Sequence, residues 1–197
     1  MKKFVTVAAL LAFAALPGLA QTTAWKVDPN HTAAQFSVKH LGVSTVRGAF
    51  MKTTGDVQLD EKDITKSQVE ITVDTTSLDT RNEGRDKDVR SPNFLDVAAY
   101  PAMTFKSKRI TSAGGGKLKL TGDLTLHGVT REVTFDVDGP SPAIKDPWGN
   151  LRRGASATAT INRQDFGINY NKMLDSGGLV VSNDVQITID IEFIRKP

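Results

Sequence analysis

The chain has 197 residues, with 25 Lys+Arg against 22 Asp+Glu and no cysteine. A hydrophobic fraction of 39% with 24% charged residues is that of a globular chain, long enough for one domain with a buried core. The formal charge of +3 is too small to argue for nucleic acid, and the lack of cysteine excludes disulfides, thiol catalysis, cysteine zinc sites and a cysteine-linked lipid anchor.

Lys2 and Lys3 precede an apolar run from Phe4 to Leu16, and Pro17-Gly18-Leu19-Ala20 follows. A basic start, a short apolar core and small residues at the exit predict a secretory signal peptide over residues 1–20. The run is shorter than the ~20 residues of a membrane span; the competing reading is a buried N-terminal helix. Cleavage after Ala20 leaves residues 21–197 with 23 basic against 22 acidic groups, so the excess charge sits mostly in the leader. An exported, nearly neutral, soluble single domain is expected, with no second apolar segment to hold it in a membrane.

Past the leader the dominant period is two. Ala34, Phe36 and Val38 alternate with polar residues; Val46, Gly48 and Phe50 follow, and Thr53-Thr54-Gly55 breaks phase before Val57 and Leu59, which predicts a bulge. Val69, Ile71 and Val73 form the third run, and Met103 and Phe105 open a fourth that ends near Ile110. Leu118, Leu120, Gly122, Leu124 and Leu126 are followed by Val133, Phe135 and Val137. Ala155, Ala157, Ala159 and Ile161, then Val185, Ile187, Ile189, Ile191 and Phe193, complete eight runs. Such alternation means half-buried antiparallel strands.

Turn chemistry at Leu41-Gly42, Gly114-Gly115-Gly116 and His127-Gly128 joins sequence neighbours. The expected fold is all-β, an eight-stranded antiparallel up-and-down barrel, lipocalin-like, with a helical insertion near residues 79–99 that Ser91-Pro92 interrupts. A two-sheet sandwich is the competitor. An eight-stranded barrel is just wide enough to be filled by side chains or to hold one small ligand. The inward set is apolar and rich in small residues (Ala34, Gly48, Gly122, Ala155, Ala157, Ala159), which either leaves room along a lumen or accommodates a tight taper or an outside helix.

His31 and His40 lie nine residues apart, about 30 Å along a straight strand, and have opposite parity. With His127 far along the chain in a turn, a three-histidine metal site is not expected. No nucleophile elbow or phosphate-binding glycine loop is present. In an up-and-down barrel the turns alternate between ends, so one end gathers His40, the helical insertion, His127, Arg131, Arg163 and the segment Asp175 to Leu179. The candidate ligand-binding wall is Phe36, Val38, Phe50, Phe105, Leu124, Phe135, Ala157, Ile187 and Ile189, with His40 and Arg131 at the rim. That arrangement suits an amphiphile with its tail inside; the alternative role for the rim groups is to satisfy loop carbonyls. An enzyme acting on a hydrophobic substrate at the rim and an interaction protein with an incidental cavity are the competing functions.

The sequence resembles the YceI-like family, described as polyisoprenoid-binding, lipocalin-like periplasmic proteins. The resemblance is carried by Trp25-Lys26-Val27-Asp28 through His31, by His40-Leu41-Gly42 and by Gly48-Ala49-Phe50. Thr75 to Thr80, Arg85-Asp86-Lys87, Asn93-Phe94-Leu95-Asp96 and Gly122 to Thr130 continue it, followed by Asp146-Pro147-Trp148-Gly149 and Asn162 to Gly167. One departure is Asp88-Val89, where family members often carry His-Leu. The resemblance implies a non-enzymatic periplasmic carrier that holds a polyisoprenoid or isoprenoid quinone in the lumen, with no cofactor beyond that lipid. The helical insertion would cover the barrel or pack on a second copy as a homodimer.

Overall fold

The computed structural model describes residues 22–175 and 177–195, so the predicted leader lies outside the described residues. The period-two runs form strands β1 (Thr22–Val27), β2 (Ala33–His40), β3 (Ser44–Phe50), β4 (Thr53–Asp60), β5 (Gln68–Asp74) and the short β6 (Leu78–Asp79). Helix α1 (Glu83–Arg90) follows, then β7 (Ala102–Gly114), β8 (Lys117–Leu126), β9 (Val129–Asp138), the short β10 (Ile144–Lys145), β11 (Leu151–Asn162) and β12 (Asp184–Arg195). All pairings are antiparallel, and the β11–β12 ladder, from Leu151↔Arg195 to Asn162↔Asp184, closes the sheet on itself. Closure removes the exposed edges that an open sheet would present.

Two staves of the barrel are each made of two strands. β1 and β2 both pair with β12, through Lys26↔Ile194 and Phe36↔Ile187, with residues 28–32 between them. β3 pairs with β2 and β4 with β1, so β3 and β4 make the neighbouring stave. Counted by stave, the barrel has eight strands and one short helix, as the alternation predicts. β1 was not among the expected runs: with only Trp25 and Val27 buried in six residues, its period is too short to stand out.

The phase change before Val57 is a strand break at Met51-Lys52, not a bulge at Gly55. Gly55 sits in an unbroken β4–β5 ladder opposite Ile71, where a Cβ would collide with the Glu70 carbonyl. Register shifts lie instead on β7: Lys108 is an extra residue between the pairs Ser107↔Gly122 and Arg109↔Thr121 and shifts the inward phase from Phe105 to Ile110, and a second shift falls between Ser112 and Gly114.

The helix is also shorter than the insertion predicts. Asn82 caps it by accepting a hydrogen bond from the Arg85 amide, and Ser91 ends it before Pro92. Asp79 belongs to β6, and residues 91–101 are turns.

Candidate functional site

The barrel encloses a cavity of about 730 Å³, within the usual range for a small-molecule site. All five inward residues of β12, from Val185 to Phe193, line it. Eight residue steps at about 3.3 Å each give a lumen of roughly 26 Å along that strand. The wall is almost wholly aliphatic and aromatic, because the inward phase of each strand is apolar.

Five of the six small inward residues divide into two groups; Ala159 packs in the core without lining the cavity. Ala34, Ala155 and Ala157 line the cavity and widen it. Gly48 and Gly122 do not: a Cβ on Gly48 would lie 2.5 Å from Phe36 Cζ, and one on Gly122 would lie 2.6 Å from Phe105 Cζ. Aromatic rings already occupy the space these glycines leave, so there the tight-taper reading applies.

One end of the lumen is plugged. Trp25, Val57, Leu59 and Phe193 pack together, with the Trp25 and Phe193 rings edge to face at 5.7 Å. The guanidinium groups of Arg153 and Arg195 lie 5.4 and 5.3 Å from the Trp25 ring centroid, adding cation–π attraction.

At the other end α1 and the chain after it cover the lumen, with Arg85, Asp88, Val89, Phe94 and Leu95 in the wall. Thr80 holds α1 in place: its amide (2.8 Å) and hydroxyl (2.5 Å) both donate to Asp86, while Arg85 Nε donates to Thr80 Oγ1 (2.8 Å). Burial acts to raise the Asp86 carboxyl, but these Thr80 hydrogen bonds, with Arg90 and Arg85 nearby, hold it below the usual range. Residues 170–175 and 177–181 flank the same end, tied to the β2–β3 turn by Leu41 N–H donating to the Val180 carbonyl (2.8 Å) and by a His40–Val181 bridge. Leu41, Val43 and Met173 stand exposed there, Val43 at 83%.

Ten of the eleven predicted wall residues line the cavity: Phe36, Val38, His40, Phe50, Phe105, Leu124, Phe135, Ala157, Ile187 and Ile189. Arg131 does not. It faces Leu124 across the β8–β9 ladder, yet it is exposed and its Nη1 donates to the adjacent Thr130 carbonyl (3.2 Å). Strand parity placed it inward, but at a strand end a long cation folds back to water instead of entering an apolar lumen.

Two other rim groups serve loop backbone. His127 Nδ1 meets the Phe166 carbonyl at 3.2 Å and its ring packs on Tyr100. Arg163, 4% exposed, donates to the carbonyls of Ile168 (2.6 Å), Tyr170 (2.9 Å) and Ser182 (3.1 Å), and its burial lowers the guanidinium pKa. The polar wall at this end also contains Tyr170, Asn171 and Lys172.

Sequence reasoning missed an ion-pair cluster that ties the β1–β2 break to the far ends of β11 and β12. Arg152 Nη1 donates to Asp28 (2.7 Å) and to Glu192, and its Nε to Asp146 (2.7 Å). Burial alone would raise Asp28, but hydrogen bonds from His31, Arg152 and the Asn30 amide bring it down to about 2. Asp146 is likewise about 2, with burial outweighed by Arg152, Asn150 and the Trp148 amide. Asp28, His31 and Glu192 have ligand atoms within 4.8 Å of one another, a spacing that suits a metal ion. The Arg152 guanidinium already takes the cation's place, bonded to both carboxylates.

Comparison with known proteins bears on the wall and the barrel together. The YceI-like domain pattern matches residues 25–193. The chain belongs to the YceI-like domain family. A UPF0312 protein of Vibrio parahaemolyticus is 42% identical over 170 residues, covering 85% of this chain and 89% of the relative. Among solved structures, Burkholderia cenocepacia BcnA superposes with a TM-score of 0.71 at 25% identity, over 84% of this chain and 98% of its own. A polyisoprenoid binding domain from Saccharophagus degradans shares the fold with a TM-score of 0.60 at 16% identity, over 86% of this chain and 97% of its own. Asp88 and Val89 both line the cavity at the α1 end.

Proposed function

We propose that this YceI-like protein is a periplasmic carrier that encloses a long-chain polyisoprenoid, or a lipid resembling an isoprenoid quinone, in the barrel lumen. The observation that carries the reading is the apolar cavity of about 730 Å³, plugged at the Trp25 end and with its charged lining groups towards α1. An apolar wall binds by excluding water, at about 0.8 kcal/mol per buried CH₂, and it offers little to a polar solute. The polyisoprenoid binding domain of Saccharophagus degradans has the same fold, which supports the choice of lipid. The signal-like residues 1–20 support export. Exposed Leu41, Val43 and Met173 beside the α1 end make that end the route of entry.

A thermal shift titration tests the reading. A long-chain isoprenoid quinone at about 100 times its Kd would add about 2.7 kcal/mol of stability and raise Tm by several degrees. No shift with any isoprenoid of C20 or longer would count against it.

A further inference from the structure

The plugged end of the lumen has a floor that is held in place. Val57, Leu59 and Phe193 line the cavity there, while Trp25 is buried behind them and does not reach it. Trp25 Nε1 donates to Thr23 Oγ1 (2.9 Å), and that hydroxyl donates to Glu61 (3.0 Å). Arg153, over the Trp25 ring, donates to the same carboxylate (2.7 Å), so the floor is braced from outside. The α1 end differs: Asp88 and Lys172 line the cavity there and are also solvent-exposed, so the lumen opens on that side.

Two dimensions of the lumen limit what it encloses. Strands of such a barrel tilt by about 35–45°, so the roughly 26 Å along β12 corresponds to a depth of about 20 Å. With C–C bonds of about 1.5 Å, an extended isoprenoid advances about 5 Å per five-carbon unit, and about four units span that depth. At about 25–30 Å³ per packed CH₂-sized group, the 730 Å³ cavity takes about 24–29 carbons, or five to six units. We infer that the floor is a chain-length stop, with Phe193 as its specificity-determining residue, and that the barrel selects an isoprenoid tail of about four to six units. This rests on the carrier reading above and narrows it. A shorter tail leaves the floor bare and loses dispersion contacts, and a longer one holds apolar carbons out in water beyond α1.

A competition tests the stop. Isoprenoid quinones with one head group and tails of two to ten units are offered together, in equal amounts, from phosphatidylcholine vesicles. Mass spectrometry of the protein-bound pool should peak at about four to six units, with the shortest and longest tails each depleted by about tenfold or more. Phe193→Ala removes six ring carbons at the floor and should move the peak longer by about one unit. Ala155, which lines the cavity beside the floor, gives the opposite test: Ala155→Phe should move the peak shorter by about one unit. Val38→Ala, near the open end, should leave the peak where it is. If Phe193→Ala does not fold, Ala155→Phe decides alone. Bound tails in the proportions of the vesicles, or a peak that stays put in folded Ala155→Phe, would overturn the stop while the carrier reading stands. A wild type that binds no quinone of any length would overturn the two together.

Discussion

Phe36 and Gly48 are direct cross-strand partners on β2 and β3, and the Phe36 ring fills the space that a side chain at position 48 would need. The ring also lies 5.7 Å from Phe50, so one glycine sets how three positions at the α1 end of the lumen pack. Glycine here is a packing requirement, not a turn.

Gly48→Ala is therefore expected to cost about 1–3 kcal/mol by overpacking, read as a fall in Tm. Adding Phe36→Leu should recover part of that loss. A double-mutant cycle in chemical denaturation checks the coupling, and strict additivity would contradict the contact.

Ala157 lines the lumen between Val137 and Ile189. Ala157→Phe should insert a ring into the cavity, lower isoprenoid affinity by at least about tenfold, and leave the far-ultraviolet circular dichroism of the barrel intact. An unchanged affinity would mean that the cargo does not occupy this stretch of the lumen.

Asp28 and Asp146 both sit at about 2 in the folded chain, below the 3.8 of a free aspartate. A carboxyl depressed by folding contributes stability that is fully present above about pH 4 and is lost as the pH falls towards about 2. Tm should therefore fall across that window, and Asp146→Asn should flatten the fall as well as lowering Tm at neutral pH. A Tm profile in Asp146→Asn as steep as in wild type would remove this residue from the acid response.

Arg163→Met removes the donor that serves the Ile168, Tyr170 and Ser182 carbonyls. The expected cost is on the order of 3 kcal/mol, with faster proteolytic cutting between residues 168 and 181. Limited proteolysis followed by mass spectrometry reads the site; cutting no faster than in wild type would contradict the clamp.

Most of the barrel was legible in the sequence because one inward face per strand is apolar, and parity alone places Phe36, Phe105, Leu124, Ile187 and Ile189 on the wall. The phase change near Thr53 was visible too, but a bulge and a strand break produce the same slip, and only the pairing of β3 with β2 and β4 with β1 separates them. Arg131 shows where parity fails: it fixes the face of a strand, not the path of a long side chain at its end. The Asp28–Arg152 pair joins residues 124 apart in sequence, and no local pattern announces such a contact.

The central claim is that the lumen holds an isoprenoid lipid. Native mass spectrometry of the wild type and of Ala157→Phe, each purified from its own host without detergent, tests it most directly. The account predicts an added mass on the wild type that organic extraction identifies as an isoprenoid lipid and that the variant lacks. Wild-type protein that carries no lipid, and takes none up when isoprenoids are supplied, would contradict it.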